Sequence, residues 1–238
     1  IYHYELAIEA GLSAYAAPLG FLEAGAETFA GQIPTILKIN SSNSLSLIKN
    51  QSKNGTVKEA LKLGCAAVGF TIYPGSDYQY DMIEEFKEIS FEASESGLPS
   101  VLWSYPRGPN IDKESETSID TIAYAAHIAA LLGAHIIKVK PPSSSVTNSD
   151  LKKQYSEFFS NIDSLSERIK HIKKSAFNSK KLVVFSGGNA KGTQEMLEEI
   201  VQIKNGGGNG SIIGRNTFQR PRAEALQLLQ SVINIYKK

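Results

Sequence analysis

Little in this sequence is concentrated in one place. Across 238 residues the formal net charge is +1, with no long run of one sign. Neither a nucleic-acid-binding surface nor a polybasic membrane anchor is therefore expected. A single cysteine, Cys65, forbids an intramolecular disulfide and suits a reducing compartment. No apolar run approaches the roughly 20 residues of a membrane helix. No G-x-G-x-x-G follows an early strand and no G-x-x-x-x-G-K-[ST] occurs, which removes the common nucleotide-binding fingerprints. The histidines (His3, His127, His135 and His171) are scattered, without Cys, Asp or Glu at ligand spacing, so no metal is expected. The chain opens on Ile1 rather than Met, so further residues are expected upstream. No signal peptide is visible, and a cytoplasmic protein is the expectation.

What is present is alternation. Tyr2–Ala10 reads as a helix closed by Gly11, and Leu12–Pro18 as a strand before the helical FLEAGAETFA. Strands are expected at Thr35–Asn40, Cys65–Tyr73, Ser100–Pro106, Ala134–Lys140, Lys181–Gly188 and Gly210–Gly214. Between them lie VKEALKLG capped by Thr56, a helix from about Tyr78 to Ser96, and IDTIAYAAHIAALLG. Further helices are expected from Asp150 to Lys174, over TQEMLEEIVQIK, and from Thr217 to Tyr236. Strand–helix alternation argues for a parallel sheet. An orphan amino-terminal helix followed by seven strand–helix units suggests a single α/β domain over residues 1–238. Its expected form is a (β/α)8 TIM barrel lacking its first β-strand. A doubly wound open sheet is the alternative, but it seldom uses this many similar units.

Chemistry in such barrels gathers where strands end. Those ends carry Lys38 and Asn40; Tyr73 to Ser76; Trp103, Ser104, Tyr105 and Arg107; Lys138 and Lys140; Ser186, Gly187 and Gly188; and Gly214, Arg215 and Asn216. Strand starts hold Cys65, Ser100 and His135 instead, so His135 is expected to be structural. In HIIKVK, period two puts Lys138 and Lys140 on one face. With no carboxylate beside them, burial and like charge both push a lysine toward its neutral, nucleophilic form, although a lone K-x-K also suits an exposed strand end. Tyr105, near that positive charge, is expected to have a lowered pKa and to carry protons, with Trp103 excluding water. The Ser186–Gly188 and Gly214–Arg215 loops offer a hydroxyl, open backbone amides, a guanidinium and the helix beginning near Gly192. These suit a phosphate, as loops after the seventh and eighth strands of barrels commonly do.

ILKIN, AVGFTIYPGS, VLWSYPRG, HIIKVK, FSGG and IIGRN, in that order, resemble the archaeal-type class I fructose-bisphosphate aldolases, which also occur in bacteria. The resemblance covers essentially the whole chain. It implies a (β/α)8 barrel and metal-free reversible cleavage of fructose 1,6-bisphosphate to dihydroxyacetone phosphate and glyceraldehyde 3-phosphate. The family's Schiff-base lysine, whose covalent chemistry calls for no cofactor, falls on Lys138, its tyrosine on Tyr105 and its tryptophan on Trp103. Its phosphate loops fall on Ser186, Gly187, Gly188, Gly214 and Arg215, which leaves Lys140, Lys38 or Arg107 for the other phosphate. The implied partner is a phosphorylated sugar, and a homo-oligomer is expected. The family's Asp-His-Gly at the end of the first strand has no counterpart in this sequence. Two alternatives stay open: a related Schiff-base aldolase or transaldolase acting on another phosphosugar, and a non-catalytic phosphosugar-binding barrel.

Overall fold

The structure is a computed structural model that describes residues 1–159, 161–178, 180–186 and 192–237. Helix α1 (Tyr2–Glu9) leads into strand β1 (Tyr15–Pro18), α2 (Leu19–Phe29) and β2 (Thr35–Lys38). A small antiparallel hairpin, β3 (Asn40–Ser41) and β4 (Ser52–Lys53), precedes α3 (Val57–Lys62). Then come β5 (Ala67–Ile72), α4 (Gln79–Glu95), β6 (Ser100–Ser104), a 3-10 turn at Ser115–Thr117, α5 (Ile119–Leu131) and β7 (Ile136–Val139). Helices α6 (Ser149–Phe158) and α7 (Leu165–Ser175) lead to β8 (Leu182–Phe185), and α8 (Thr193–Asn205), α9 (Arg215–Phe218) and α10 (Arg222–Lys237) follow.

The main sheet has six parallel strands in the order β1-β2-β5-β6-β7-β8. Neighbours in the sheet follow their order along the chain, so the winding never reverses. A doubly wound sheet reverses at a switch point; this one does not. Strands β5 and β6 are buried along their whole length, as parallel strands covered on both faces must be. On the helix side, Val68, Phe70 and Ile72 join a large core with Phe86, Ile122, Ile137 and Val183. Phe70 meets Phe86 at 5.9 Å between ring centroids and ties β5 to α4. Each such fully buried side chain contributes about 1.5–3 kcal/mol. The opposite face carries a smaller cluster of Ala67, Val101 and Trp103, packed by Ala16, Ile36, Tyr105, Ile136 and Ile212.

Local signals act where expected. The Thr56 hydroxyl accepts the Glu59 amide at 3.2 Å and donates to its carboxylate at 2.8 Å, closing a reciprocal cap on α3. Gly11, one residue beyond the α1 cap, takes φ +73, which a side chain rarely tolerates.

Three expectations change. The helix expected from Asp150 to Lys174 is interrupted between α6 and α7. Asn161, Asp163 and Ser164 favour turns there, and Arg168 ties the break by donating to the Pro142, Ile162 and Asp163 carbonyls at 2.6–2.8 Å. The helix expected over Thr217–Tyr236 divides at Pro221, which has no amide to donate. Gly210–Gly214 makes only an isolated parallel bridge, Ser211 with Phe185. It follows the glycine-rich stretch Gly206–Gly210 and has no further strand beside it among the described residues. Among those residues no helix is long and apolar enough to cross a membrane.

Candidate active site

The side chains that converge at the carboxyl edge do so because parallel register aligns the strand ends. Trp103 on β6 pairs with Thr71 on β5 and with Lys138 on β7, while Lys38 on β2 pairs with Gly69. Gly69 is where the sheet makes room: a Cβ there would lie 2.7 Å from the Trp103 ring. With that space free, the indole lies between two amines. Lys138 Nζ is 5.5 Å and Lys38 Nζ 5.7 Å from its centroid, and Lys138 is also 6.0 Å from the Tyr105 ring.

Lys138 is 7% exposed. Burial alone draws its pKa down from the ordinary 10.5 to about 7. Lys38 is drawn to about 7 by burial first and by the neighbouring Lys138 charge second. Their surroundings distinguish them. Lys38 donates to the Asn40 carbonyl and, at 2.7 Å, to its side-chain oxygen. Asn40 is in turn fixed on the Thr71 backbone by bonds of 2.8 and 2.7 Å. No acceptor among the described residues bonds the Lys138 amine. Lys138 is the amine left available, with an aromatic wall on one side.

Lys140, with Lys38 as a second candidate, is the expected charged neighbour of Lys138, and for Lys140 the structure differs. Strand β7 ends at Val139, so Lys140 lies past the pleat. Its Nζ reaches Glu116 at 3.0 Å, and the same carboxylate oxygen takes Arg107 at 2.9 Å and the exposed Lys113 at 3.8 Å. The carboxylate thought to be missing comes from the 3-10 turn before α5. The second lysine near Lys138 is Lys38.

Tyr105 also departs from expectation. Burial raises its pKa beyond the phenol range, outweighing the opposing pull of Arg107. It is a phenol held protonated at rest, with its pKa raised rather than lowered. Beyond it, Tyr73 Oη accepts from the Gln51 side-chain amide of the β3–β4 hairpin.

The phosphate-loop residues are only partly brought in. Ser186 is buried, and its amide donates to the Val139 carbonyl at 3.3 Å, beside the end of β7. Gly187 and Gly188 lie outside the described residues. Gly214 and Arg215 are exposed at the start of α9, where the Thr217 amide donates to the Gly214 carbonyl at 2.9 Å. The buried Thr217 hydroxyl there has no hydrogen-bond partner among the described residues. The histidines are engaged elsewhere. His135 Nδ1 meets the Ser100 amide and hydroxyl at 3.1 Å, His127 Nδ1 the Ser175 carbonyl at 2.9 Å, and His171 Nε2 the Tyr155 hydroxyl at 3.0 Å. His3 packs against Phe218. Among the described residues no group of three or more His, Cys, Asp or Glu could hold a metal ion.

Glu116 is the residue that sequence reasoning missed. The one trace of it was a charged KESE segment between a strand end and a helix. Asn40 was visible only as a strand end, and its grip on Lys38 was not.

A buried lysine amine of lowered pKa beside a phenol and an indole, on the carboxyl edge of a parallel α/β sheet, suits covalent chemistry on ketones, and the protein falls in the aldolase class. The DeoC/LacD family aldolase model matches residues 3–220, and the chain belongs to that family. It is 33% identical over 232 residues to the class 1 fructose-bisphosphate aldolase of Halobacterium salinarum, covering 97% of this chain and 79% of that protein. To the corresponding Thermoproteus tenax protein it is 34% identical over 221 residues, 92% of this chain and 73% of the other. The crystal structure of an archaeal fructose 1,6-bisphosphate aldolase matches with a TM-score of 0.82 at 31% identity, over 100% of this chain and 83% of that one. Another such structure, whose catalytic Lys is covalently bound to the carbinolamine intermediate of the substrate, matches at 0.83 and 30% identity with the same coverage.

Proposed function

We propose that this chain is a class I fructose-bisphosphate aldolase with Lys138 as its Schiff-base lysine. The observation that carries the reading is the Lys138 amine: buried, drawn to about 7, unbonded among the described residues and faced by Trp103 and Tyr105. At neutral pH about half of it is an unprotonated nucleophile, against less than about one part in a thousand for an ordinary lysine.

The steps follow from the protonation states. Lys138 Nζ adds to the ketone carbon of the open-chain sugar, and the carbinolamine forms. Tyr105, protonated at neutral pH, donates to the departing hydroxyl; water leaves and a cationic iminium remains. The resulting phenolate is a strong acceptor because burial disfavours its charge. It takes the proton of the hydroxyl on the fourth carbon, the bond between the third and fourth carbons breaks, and its electrons enter the iminium. The aldehyde departs and an enamine stays on Lys138. Tyr105 then protonates the enamine, and hydrolysis frees dihydroxyacetone phosphate and the lysine. Tyr105 thus spends and recovers one proton in each half of the cycle. Trp103 walls off water from the iminium, and Asn40 holds Lys38 engaged so that it does not compete for the ketone.

The Ser186–Gly188 and Gly214–Arg215 segments are the proposed seat of the phosphate next to the ketone. Arg107 and Lys140 are the proposed seat of the remote one. The fuller architectural reading is one (β/α)8 barrel domain with a further strand between β1 and the Ser211 segment. It is supported by the unreversed strand order and by Ile212 and Ala16 both packing against the inner cluster. A homo-oligomeric, cytoplasmic enzyme belongs to the same reading, on the strength of the resemblance.

The test is reductive trapping. Incubation with dihydroxyacetone phosphate and borohydride should leave a reduced adduct on Lys138, located by peptide mass spectrometry. An adduct on Lys38 keeps the reaction class and moves the nucleophile. Phosphosugar binding without any adduct turns the reading toward a binding protein.

A further inference from the structure

Two half-buried cations sharing one carboxylate make an unbalanced cluster. Glu116 Oε2 accepts Arg107 at 2.9 Å and Lys140 at 3.0 Å, and the three side chains are 11%, 22% and 14% exposed. Lys113, at 3.8 Å and 86% exposed, adds positive charge from solvent. A purely structural ion pair closes on itself, since an uncompensated buried charge is costly. This one leaves a surplus of positive charge, and it does so at the sheet edge that carries Lys138, with Arg107 close enough to act on Tyr105. The surplus is fitted to an incoming anion.

We infer that Glu116 is a positioning residue for substrate: it aligns Arg107 with Lys140 and keeps Lys140 charged, so that the pair receives the phosphate remote from the reacting ketone. This inference rests on the proposed reading of Arg107 and Lys140 as a phosphate seat. The charged groups that act on Lys140 are Arg107 from the loop after β6 and Lys113 and Glu116 from the segment before α5. Arg168, from α7, is occupied with the Pro142 carbonyl two residues on. Burial and then Arg107 push the Lys140 pKa down, while Glu116 opposes both through its hydrogen bond and its charge. Without the carboxylate, only the lowering influences remain.

The experiment compares KM for fructose 1,6-bisphosphate with KM for fructose 1-phosphate, which lacks the remote phosphate, from about pH 7 to about pH 9, where a phosphomonoester stays dianionic. The ratio of the two cancels the titration of Lys138, which both substrates share. In the unaltered enzyme the ratio is expected to be flat. In Glu116→Gln it should rise with pH across the window as Lys140, left with only the influences that lower its pKa, loses its proton. Adding Lys140→Arg, whose guanidinium does not titrate, should make the ratio flat again. Should Glu116→Gln fail to fold, Glu116→Asp, with its charge withdrawn by one methylene, is read the same way for a smaller rise. A flat ratio in the Glu116 variant, with Lys140→Ala still weakening the bisphosphate alone, overturns the role of Glu116 and leaves the phosphate seat standing. If Lys140→Ala changes both substrates equally, the seat is wrong and the inference falls with it.

Discussion

Replacing Lys138 by Met keeps the length and apolar stem of the side chain and removes only the amine. The buried lysine has a native pKa of about 7 against an ordinary 10.5. The unfolded chain therefore binds the proton more tightly, and stability rises with pH across the interval between those values. The cost is fully present below the native pKa and vanishes above the unfolded one. Two-state linkage puts it at about 4 kcal/mol at pH 7 and about 2 kcal/mol at pH 9. Urea unfolding of both proteins at these two pH values should show Lys138→Met the more stable at pH 7, with the gap shrinking by about 2 kcal/mol at pH 9. Lys38, relieved of its charged neighbour in the variant, shifts the difference in the same direction. Aldol cleavage should vanish in the variant at both pH values. A gap that does not change with pH would refute the argument, because Lys138 would then be charged in the native protein and could not be the nucleophile.

Two further outcomes follow from the same geometry. Tyr105→Phe keeps the ring beside Lys138 and loses the proton carrier, so kcat should fall about 10²- to 10⁴-fold with little change in KM; near-normal steady-state turnover would move the proton to another group. Gly69→Ala places a methyl 2.7 Å from Trp103. Either the indole or the strand must yield, at about 1–3 kcal/mol by thermal or urea unfolding, with a matching loss of kcat. An unaltered melting curve and unaltered turnover would mean that the Gly69–Trp103 fit is not needed.

The sheet was legible because its evidence is local. Runs such as AVGFTI and VLWS announce buried strands through composition alone, and glycines such as Gly11 and Gly64 mark where helices stop. Lys138, Trp103 and Tyr105 were legible because a barrel's strand ends are a short list to search. What failed was contact between residues distant in the chain. Lys140 and Glu116 are separated by 24 positions, so the period-two rule, valid only up to Val139, put Lys140 against the wrong neighbour. The proximity of Lys38 to Lys138 depends on the register of β2, β5, β6 and β7 together, which no single motif encodes. Tyr105 was misjudged for a related reason: nearby positive charge is visible in a sequence, whereas the depth of burial that outweighs it is not.

These corrections divide the positive charge of the site by function. Lys38 and Lys138 flank Trp103 with no carboxylate among the described residues bonded to either, and burial draws both toward the neutral form that addition to a ketone demands. Arg107 and Lys140 share Glu116, whose hydrogen bond and charge oppose the burial that lowers the Lys140 pKa, as the proposed phosphate seat requires. Exchanging the environments would disable both: a carboxylate beside Lys138 would keep it protonated, and its loss beside Lys140 would leave burial free to discharge the phosphate seat. On the proposed reading, one acidic residue on the 3-10 turn before α5 is therefore what lets lysines two residues apart on one chain do opposite work.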